Sequence, residues 1–205
     1  MTDEDGTSYR CEIGAFRDDS AELNILTREE GKNELSAKIT LFQGLPKGDK
    51  TELIIQKAVE LGAAEIVPVE MKRTIVKVDA KKEASRNARY QAIAESAAKQ
   101  SGRNRIPEVK HLMSMKEAVA YAKTFDLVLV PYEKAVNMAE TREIIRNVPR
   151  DGSIAVFIGP EGGIEPSEIE LLESIGGKAI TLGKRILRTE TAGLTILSVL
   201  MFELD

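Results

Sequence analysis

Short apolar runs alternate with amphipathic segments along most of the chain after residue 44. The runs at 127–130 and 154–158 are continuous and rich in β-branched residues, which is typical of strands buried on both faces of a parallel sheet. Further strands are predicted at 66–69, 108–111 and 179–182, and helices at 51–61, 80–101, 114–124, 138–147, from 166 and from about 189. Alternating strands and helices predict an α/β fold, with a mostly parallel sheet and helices on both faces.

The start of the chain has a different pattern. Three short runs of β type, at 9–13, 21–26 and 38–42, are separated by charged or glycine-containing turns. Because so short a stretch makes a poor domain, we expect either an addition to the main sheet or the remnant of a small β-barrel. The turn pair Asp5-Gly6 lies close to the first residue, so we expect the chain to open inside a domain.

Length and composition limit the class of protein. The 205 residues suffice for one α/β domain and a fragment of another, with a core that needs no cross-links. Cys11 is the only cysteine and His111 the only histidine, so we expect no disulfide within the chain and no metal site, and a packing role for both side chains. No apolar stretch approaches the roughly 20 residues of a membrane helix, and the acidic start is unlike a secretion signal. We therefore expect a soluble, cytoplasmic protein with no membrane partner.

Charge is distributed unevenly. The net charge is -4, yet the segment from Lys72 to Arg105 has ten basic residues against three acidic ones. This asymmetry is typical of a surface that faces phosphates. A solvated helix face would have a similar composition, so both interpretations stay open.

Two glycine-bearing turns directly follow predicted strands. The first is 159–163 and the second is 182–192. Loops at the carboxyl ends of parallel strands bind ligands because their backbone groups point into a crevice. Neither turn has the spacing of a phosphate-binding or dinucleotide-binding loop. Glycine, backbone groups and flanking aliphatic side chains suit a flat, neutral heterocycle such as adenine. Alternatively, the two segments are only entry turns of helices.

The two turns resemble the paired C-terminal signature of a known family. Gly159-Pro160-Glu161-Gly162-Gly163 and the segment 182–192 are similar to the motifs of the 16S rRNA (uracil-1498-N3)-methyltransferase family, RsmE type. That family belongs to the SPOUT, or α/β-knot, methyltransferases. Two further segments agree with it, 43–50 leading into 57–62 and 89–93 leading into 100–107. The resemblance covers nearly the whole chain.

The resemblance implies an architecture. The SPOUT methyltransferase domain would span 37–205 and contain a C-terminal deep trefoil knot, a rare exception to the rule against knotted chains. Residues 1–36 would be the remnant of a PUA-like RNA-binding β-barrel, of which roughly the first 40 residues of the family pattern are absent. The family is dimeric, so a homodimer is expected, with the apolar face of the last helix against its partner.

The resemblance also implies a cofactor and a site. The cofactor would be S-adenosylmethionine, and the partner 16S rRNA or the small ribosomal subunit. Carried over position by position, the residues near the cofactor are Val130, Pro131, Gly159, Pro160, Glu161, Gly162, Leu182, Gly183, Ile186, Leu187 and Arg188.

The chemistry of such a transfer indicates which side chains are needed. The methyl group on the sulfonium is electrophilic, so the protein must align the uracil N3 with it and help to remove the N3 proton. Negative charge then develops on the uracil oxygens, which an arginine can stabilise. The candidates for this catalytic role are Arg188, Arg103 and Arg105, and Glu161 and Glu190 are possible bases.

The chain departs from the family pattern at two positions. Tyr90 stands where the family usually has tryptophan, and Lys99 where it usually has glutamate. Two alternatives to the leading interpretation stay open. One is a non-catalytic module for rRNA binding or ribosome assembly, and the other is a SPOUT methyltransferase with a different target base.

Overall fold

The computed structural model describes residues 1–3, 6–29, 33–76, 80–135 and 137–205. Within these ranges the chain forms nine strands and six helices. Their order is β1 (Ser8–Arg17), β2 (Ser20–Glu29), β3 (Lys38–Gly44), α1 (Lys50–Glu60), β4 (Glu65–Glu70), α2 (Ala80–Ser101), β5 (Glu108–Val109), β6 (Met113–Ser114), α3 (Met115–Ala122), β7 (Leu127–Pro131), α4 (Met138–Arg146), β8 (Ser153–Ile158), α5 (Pro166–Glu173), β9 (Lys178–Ile180) and α6 (Thr189–Leu204).

Seven strands form one parallel sheet. Its order is β5-β4-β3-β8-β7-β9, with β6 also paired to β4. The predicted α/β fold with a mostly parallel sheet is therefore confirmed. The order is not sequential, because β8 lies between β3 and β7. This arrangement brings the carboxyl ends of β7, β8 and β9 to the same edge of the sheet.

The alternation of side chains along the central strands builds two cores. Leu41 of β3 and Val156 of β8 face one side, where they belong to a cluster with residues of α1, α2 and α6. Phe42 and Phe157 face the other side, near α3 and α5, with their rings stacked at 4.3 Å between centroids. Helices therefore cover both faces of the sheet, as the sequence predicts.

Strands β1 and β2 form a separate antiparallel hairpin. The third β-type run of the first 43 residues does not join it, because β3 pairs in parallel with β4 and β8 in the main sheet. The hairpin leaves four large apolar side chains exposed, namely Ile13, Phe16, Ile25 and Leu26. The hairpin contacts the loop between α2 and β5, where Asn104 Nδ2 donates to Ser8 Oγ at 2.5 Å.

Local signals located most of the helices. Ser114 begins α3 with a capping box, in which its Oγ accepts from Glu117 N at 3.3 Å and Glu117 Oε2 accepts from Ser114 N at 2.8 Å. The last strand is shorter than predicted. It ends at Ile180 because the chain turns directly after it. In this turn the backbone N–H of Gly183 donates to Thr181 Oγ1 at 3.2 Å, and Gly183 has a φ of 117°.

The predicted packing role of His111 is wrong. Its side chain is 74% exposed, with Nδ1 3.9 Å from Glu83. Cys11 is half-buried in β1. Among the residues that the structure describes, no group of three or more histidine, cysteine, aspartate or glutamate side chains is placed to bind a metal ion. No described helix has the length and apolar character needed to cross a membrane.

Candidate functional site

The two glycine turns form the walls of one cleft of about 370 Å³. It lies at the carboxyl ends of β7, β8 and β9, and we call it the carboxyl-edge cleft. Nine of the eleven residues predicted to surround a cofactor line it, namely Pro131, Gly159, Pro160, Glu161, Leu182, Gly183, Ile186, Leu187 and Arg188. Turns that are separated by about twenty residues in the sequence are therefore neighbours in the fold.

The other two predicted residues lie just outside the cleft. Val130 is buried within the sheet, in the cluster that contains Phe42. Gly162 faces Arg73, whose Nη1 donates to the Gly162 carbonyl at 2.7 Å. Arg73 Nε also donates to Glu165 Oε2 at 2.6 Å. Both residues therefore lie behind the residues that line the cleft and do not line it themselves.

The first turn requires glycine because the backbone folds back on itself. A Cβ atom on Gly159 would lie 2.7 Å from the carbonyl carbon of Gly163 and 2.9 Å from the backbone nitrogen of Ile164. Backbone atoms cannot move aside as a flexible side chain does. The Gly163 N–H donates to the Pro160 carbonyl at 2.8 Å, and Gly163 has a φ of 72°. The turn is thus closed by its own main chain.

A buried chain of hydrogen bonds joins the first turn to α6. Thr189 Oγ1 donates to the Gly159 carbonyl at 2.6 Å. Gln43 Nε2 donates to Thr189 Oγ1 at 2.8 Å and to the Gly44 carbonyl at 2.9 Å. Gln43 and Thr189 are not among the residues predicted to surround the cofactor, although they lie within the motif segments 43–50 and 182–192.

Two glutamates at the cleft share one lysine. Lys50 Nζ lies 3.2 Å from Glu161 Oε1 and 3.3 Å from Glu190 Oε2. The hydrogen bond to Glu161 raises the pKa of Lys50, burial opposes the shift, and Glu190 adds to it. Lys47 donates its backbone N–H to Glu161 Oε1 at 3.1 Å. Sequence reasoning did not assign Lys50 to the site.

Glu161 is a poor candidate for a base. Partial burial acts to raise its pKa, but hydrogen bonds from its own backbone N–H and that of Lys47, together with the Lys50 ammonium, outweigh burial and lower the pKa. The carboxylate is therefore ionised and engaged at neutral pH. A base that must accept a proton near pH 7 needs a pKa closer to that value.

Three cations stand at the mouth of the cleft. Lys184, Arg185 and Arg188 are exposed and line it. None of them forms an ion pair with any part of the chain that the structure describes. Ile186, between them, is 90% exposed. The arrangement leaves positive charge available to an anionic partner beside the two glycine turns.

The structure does not bring Arg103 and Arg105 to this cleft. Arg103 is only 5% exposed, and it forms an ion pair with Glu34. Its Nη1 also donates to the carbonyls of Val59, at 3.1 Å, and Ala63. With its donors engaged in this way, Arg103 serves the fold, and we do not retain it as a catalytic candidate within one chain.

Arg105 lines a second, larger cleft of about 1170 Å³. This amino-edge cleft lies at the first residues of β3, β4 and β8, the opposite end of the parallel strands. Arg105 is exposed but is separated from the glycine turns by the length of the strands. The structure therefore divides the three predicted arginines, and only Arg188 reaches the carboxyl-edge cleft.

Much of the basic segment from Lys72 to Arg105 is neutralised within the chain. Four of its cations form ion pairs, and the pairs are Arg73–Glu165, Arg89–Glu52, Lys99–Glu95 and Arg103–Glu34. Lys72 Nζ donates to Ser167 Oγ at 2.7 Å. Part of the segment, around residues 77–79, and the side chains of 80–82 lie outside the described residues. For the described part, the cations serve mainly to connect elements.

Comparison with known proteins identifies the class that this fold and cleft define. The family model of the RNA methyltransferase domain matches residues 33–201, and the chain belongs to that family. A relative from Bacillus subtilis is more specific. Its name is ribosomal RNA small subunit methyltransferase E, and it is 36% identical over 98% of this chain and 80% of its own length. Within the family, the chain therefore belongs with the small subunit methyltransferase E proteins.

Two solved structures support the comparison and contain a ligand. A putative methyltransferase from Legionella pneumophila, in complex with the bound cofactor SAM, is 34% identical with a TM-score of 0.82, and the match covers 97% of this chain and 80% of that one. A ribosomal RNA small subunit methyltransferase E from Neisseria gonorrhoeae bound to S-adenosyl methionine is 33% identical with a TM-score of 0.80, over 98% and 81%. The chain thus spans about four fifths of these relatives.

Proposed function

We propose that this chain is an S-adenosylmethionine-dependent RNA methyltransferase that methylates N3 of a uridine in the 16S rRNA of the small ribosomal subunit. The target would be the uridine at position 1498, which appears in the name of the family. The observation that carries the proposal is the meeting of the two glycine turns in one cleft at the carboxyl edge of the sheet. The methyltransferase names and the bound cofactor of the relatives support the same function.

The residues of the carboxyl-edge cleft fit this cofactor. Its volume of about 370 Å³ lies in the range of small-molecule sites. Leu182 and Leu187 offer aliphatic side chains for a flat base, and the two glycine turns offer backbone polar groups. Pro131 closes the side formed by β7. When bound there, S-adenosylmethionine supplies an electrophilic methyl group.

Arg188 is the side chain that we assign to the acceptor base. It lies at the start of α6, at the mouth of the cleft, with its guanidinium exposed. Removal of the N3 proton leaves negative charge on the uracil oxygens, and a guanidinium at this place would stabilise it. Lys184 and Arg185 would bind the phosphates on either side of the target nucleotide, because unpaired cations attract the RNA backbone.

We propose the finer architecture from the family resemblance. The chain after β8 would thread through a loop and form a deep trefoil knot. The hydrogen bond from the Thr189 hydroxyl to the Gly159 carbonyl is consistent with this close approach of the two turns. The hairpin, within the proposed boundary of residues 1–36, would be part of a PUA-like RNA-binding barrel, and its exposed apolar side chains are consistent with an incomplete core. The methyltransferase domain would be 37–205.

We also propose a homodimer that acts in the cytoplasm. Helix α6 has apolar residues on all sides, and Val199 and Phe202 remain 40% and 86% exposed. A helix that is apolar all round is normally buried. The second copy of the chain would cover this face.

Calorimetry with S-adenosylmethionine tests the proposed site. The wild-type chain should bind one cofactor molecule per chain. Gly159→Ala should weaken binding about tenfold or more, because the new Cβ atom would clash with backbone at 2.7 Å. The matched control is Gly14→Ala in the hairpin, where the nearest atom is the flexible amide of Asn24 at 3.0 Å. Folded wild-type chain that fails to bind the cofactor would refute the proposal.

A further inference from the structure

The segment 43–50, which we call the coupling segment, contacts both glycine turns. It runs from the end of β3 into the start of α1. The two glycine turns follow other strands, β8 and β9. The sequence resemblance drew attention to this segment without giving it a role. Its contacts occur at two levels, one buried beneath the carboxyl-edge cleft and one at its rim.

At the buried level, Gln43 connects the two turns through Thr189. The Thr189 hydroxyl donates to Gly159, so it must accept from Gln43, and this fixes which end of the amide points at Thr189. The first turn supplies the Gly159 carbonyl, the second turn supplies the Thr189 hydroxyl, and β3 supplies the Gln43 amide. The relay thus joins three separate parts of the chain.

Gln43 carries a cost that fold stability alone does not explain. The side chain is 2% exposed, and its Oε1 is buried without a hydrogen-bond partner in the described structure. A buried acceptor without a partner destabilises the folded state. Gln43 does not line the cleft, so it acts through Thr189 and not on a ligand directly.

At the rim, Lys50 joins the acidic residues of both turns. Its ammonium lies between Glu161 of the first turn and Glu190 of the second turn. Glu190 Oε2 is buried, and the Lys50 ammonium at 3.3 Å is the partner it has among the described residues. Glu161 is held from the same segment by the backbone N–H of Lys47. The coupling segment therefore fixes both carboxylates.

We propose that Gln43 and Lys50 are positioning residues that hold the two glycine turns at the spacing required to bind S-adenosylmethionine. This inference rests on the proposed function, since it concerns the same cofactor. The two turns come from different βα units, and a site built from two loops loses affinity when their relative position is free to vary. The coupling segment removes that freedom before the cofactor arrives.

The main experiment measures cofactor and RNA affinity separately, by calorimetry and by filter binding with 16S rRNA. Gln43→Leu should raise the Kd for S-adenosylmethionine about tenfold and leave the Kd for RNA unchanged. Thr189→Val should act alike, and Thr189→Ser, which keeps the hydroxyl, should restore binding. The control is Thr124→Val, which removes a hydroxyl that donates to the Tyr121 carbonyl at 2.8 Å outside the carboxyl-edge cleft.

A double-mutant cycle separates coupling from general damage. If Gln43 acts through Thr189, the double variant Gln43→Leu/Thr189→Val should bind the cofactor about as weakly as either single variant. Independent effects, in which the two losses multiply, would contradict the relay. Equal weakening of cofactor and RNA binding, with a lower melting temperature, would indicate a structural role only and overturn the inference.

Lys50, whose side chain is 33% exposed and lines the carboxyl-edge cleft, provides a second test. Lys50→Ala should raise the Kd for S-adenosylmethionine about threefold, and Lys50→Arg should largely restore it. Lys99→Ala is the control, because Lys99 also forms an ion pair, with Glu95 at 2.6 Å on α2, and does not line the carboxyl-edge cleft. If the wild-type chain binds the cofactor and the Gln43 and Lys50 variants bind equally well, this inference alone is wrong. A wild-type chain that does not bind refutes the proposed function, and the inference with it.

Discussion

The two clefts at opposite ends of the parallel strands differ in size and in the groups that line them. The amino-edge cleft, at about 1170 Å³, is some three times larger than the carboxyl-edge cleft, at about 370 Å³. At the larger cleft, Glu65 accepts from Tyr121 Oη at 3.0 Å and lies 3.3 Å from Lys110. At the smaller cleft, Lys184, Arg185 and Arg188 have no ion pair within the described chain.

The smaller of the two clefts is the one that we propose as the cofactor site. At the amino edge the hydrogen bond that Lys110 donates to Glu108 is the main cause that raises the pKa of Lys110. Burial, followed by the charge of Glu65, raises the pKa of Tyr121. Glu65, Lys110 and Tyr121 already have partners at this edge, whereas the exposed Arg28, Lys38 and Arg105, which also line the amino-edge cleft, form no ion pair with the described residues. At the carboxyl edge, backbone groups of two turns and unpaired cations remain available, as parallel sheets provide at this end of their strands.

The largest expected effect concerns the stability of the amino edge. Arg103→Ala would leave Glu34 without its buried partner, so the free energy of unfolding should fall by about 3–5 kcal/mol. Urea denaturation measures this change. Arg105→Ala, an exposed neighbour, should change it by less than about 0.5 kcal/mol. If Arg103→Ala were as stable as wild type but inactive, Arg103 would belong to the chemistry after all.

The next effect belongs to the carboxyl edge and concerns rate. Arg188→Ala should lower kcat about 100-fold, because one donor to a developing oxyanion is removed, while the melting temperature stays the same. Transfer of tritium from labelled cofactor to 16S rRNA measures kcat. Full methyl transfer by Arg188→Ala, with unchanged cofactor affinity, would contradict the role assigned to this residue.

A smaller effect concerns RNA binding at the mouth of the carboxyl-edge cleft. Lys184→Ala/Arg185→Ala should reduce the salt dependence of RNA binding, with the slope of log K against log salt smaller by about 1.4 for two phosphate contacts. Lys116→Ala/Lys123→Ala is the matched control, with one exposed lysine on α3 and one directly after it. An unchanged slope in the first variant would place the RNA elsewhere.

The smallest expected effect is that of pH on the bridge that Lys50 forms between Glu161 and Glu190. We expect this bridge to make no pH-dependent contribution near neutrality. The pKa of Glu161 is lowered from 4.5, so its contribution is present above that value and is lost as the pH falls through the folded pKa. The pKa of Lys50 is raised from 10.5, so its contribution is present below that value and is lost as the pH rises through the folded pKa. The Lys50 bridge should therefore contribute no pH dependence to cofactor affinity between about pH 5.5 and 9. A limb near neutrality that Glu161→Gln removes would show that Glu161 titrates there.

Local sequence signals predicted the elements well and their assembly less well. Helix α2 runs from Ala80 to Ser101 as predicted, and Ser114 caps α3, because helical periodicity and capping depend on neighbours in the sequence. The pairing of Arg103 with Glu34 joins residues 69 positions apart, and no local pattern contains that information. The same limit explains why the sequence alone does not show that Arg103 lies at the amino edge, or that Gln43 reaches Thr189 across 146 positions.

The most direct test of the central claim follows the methyl group itself. Small ribosomal subunits from cells that lack this protein are incubated with the purified chain and S-adenosylmethionine carrying a deuterated methyl group, and the 16S rRNA is analysed by mass spectrometry. We predict one labelled nucleotide, a uridine methylated at N3, in the reaction with wild-type chain and its near absence with Arg188→Ala. Label on another base, or RNA binding with no label in the RNA, would contradict the account.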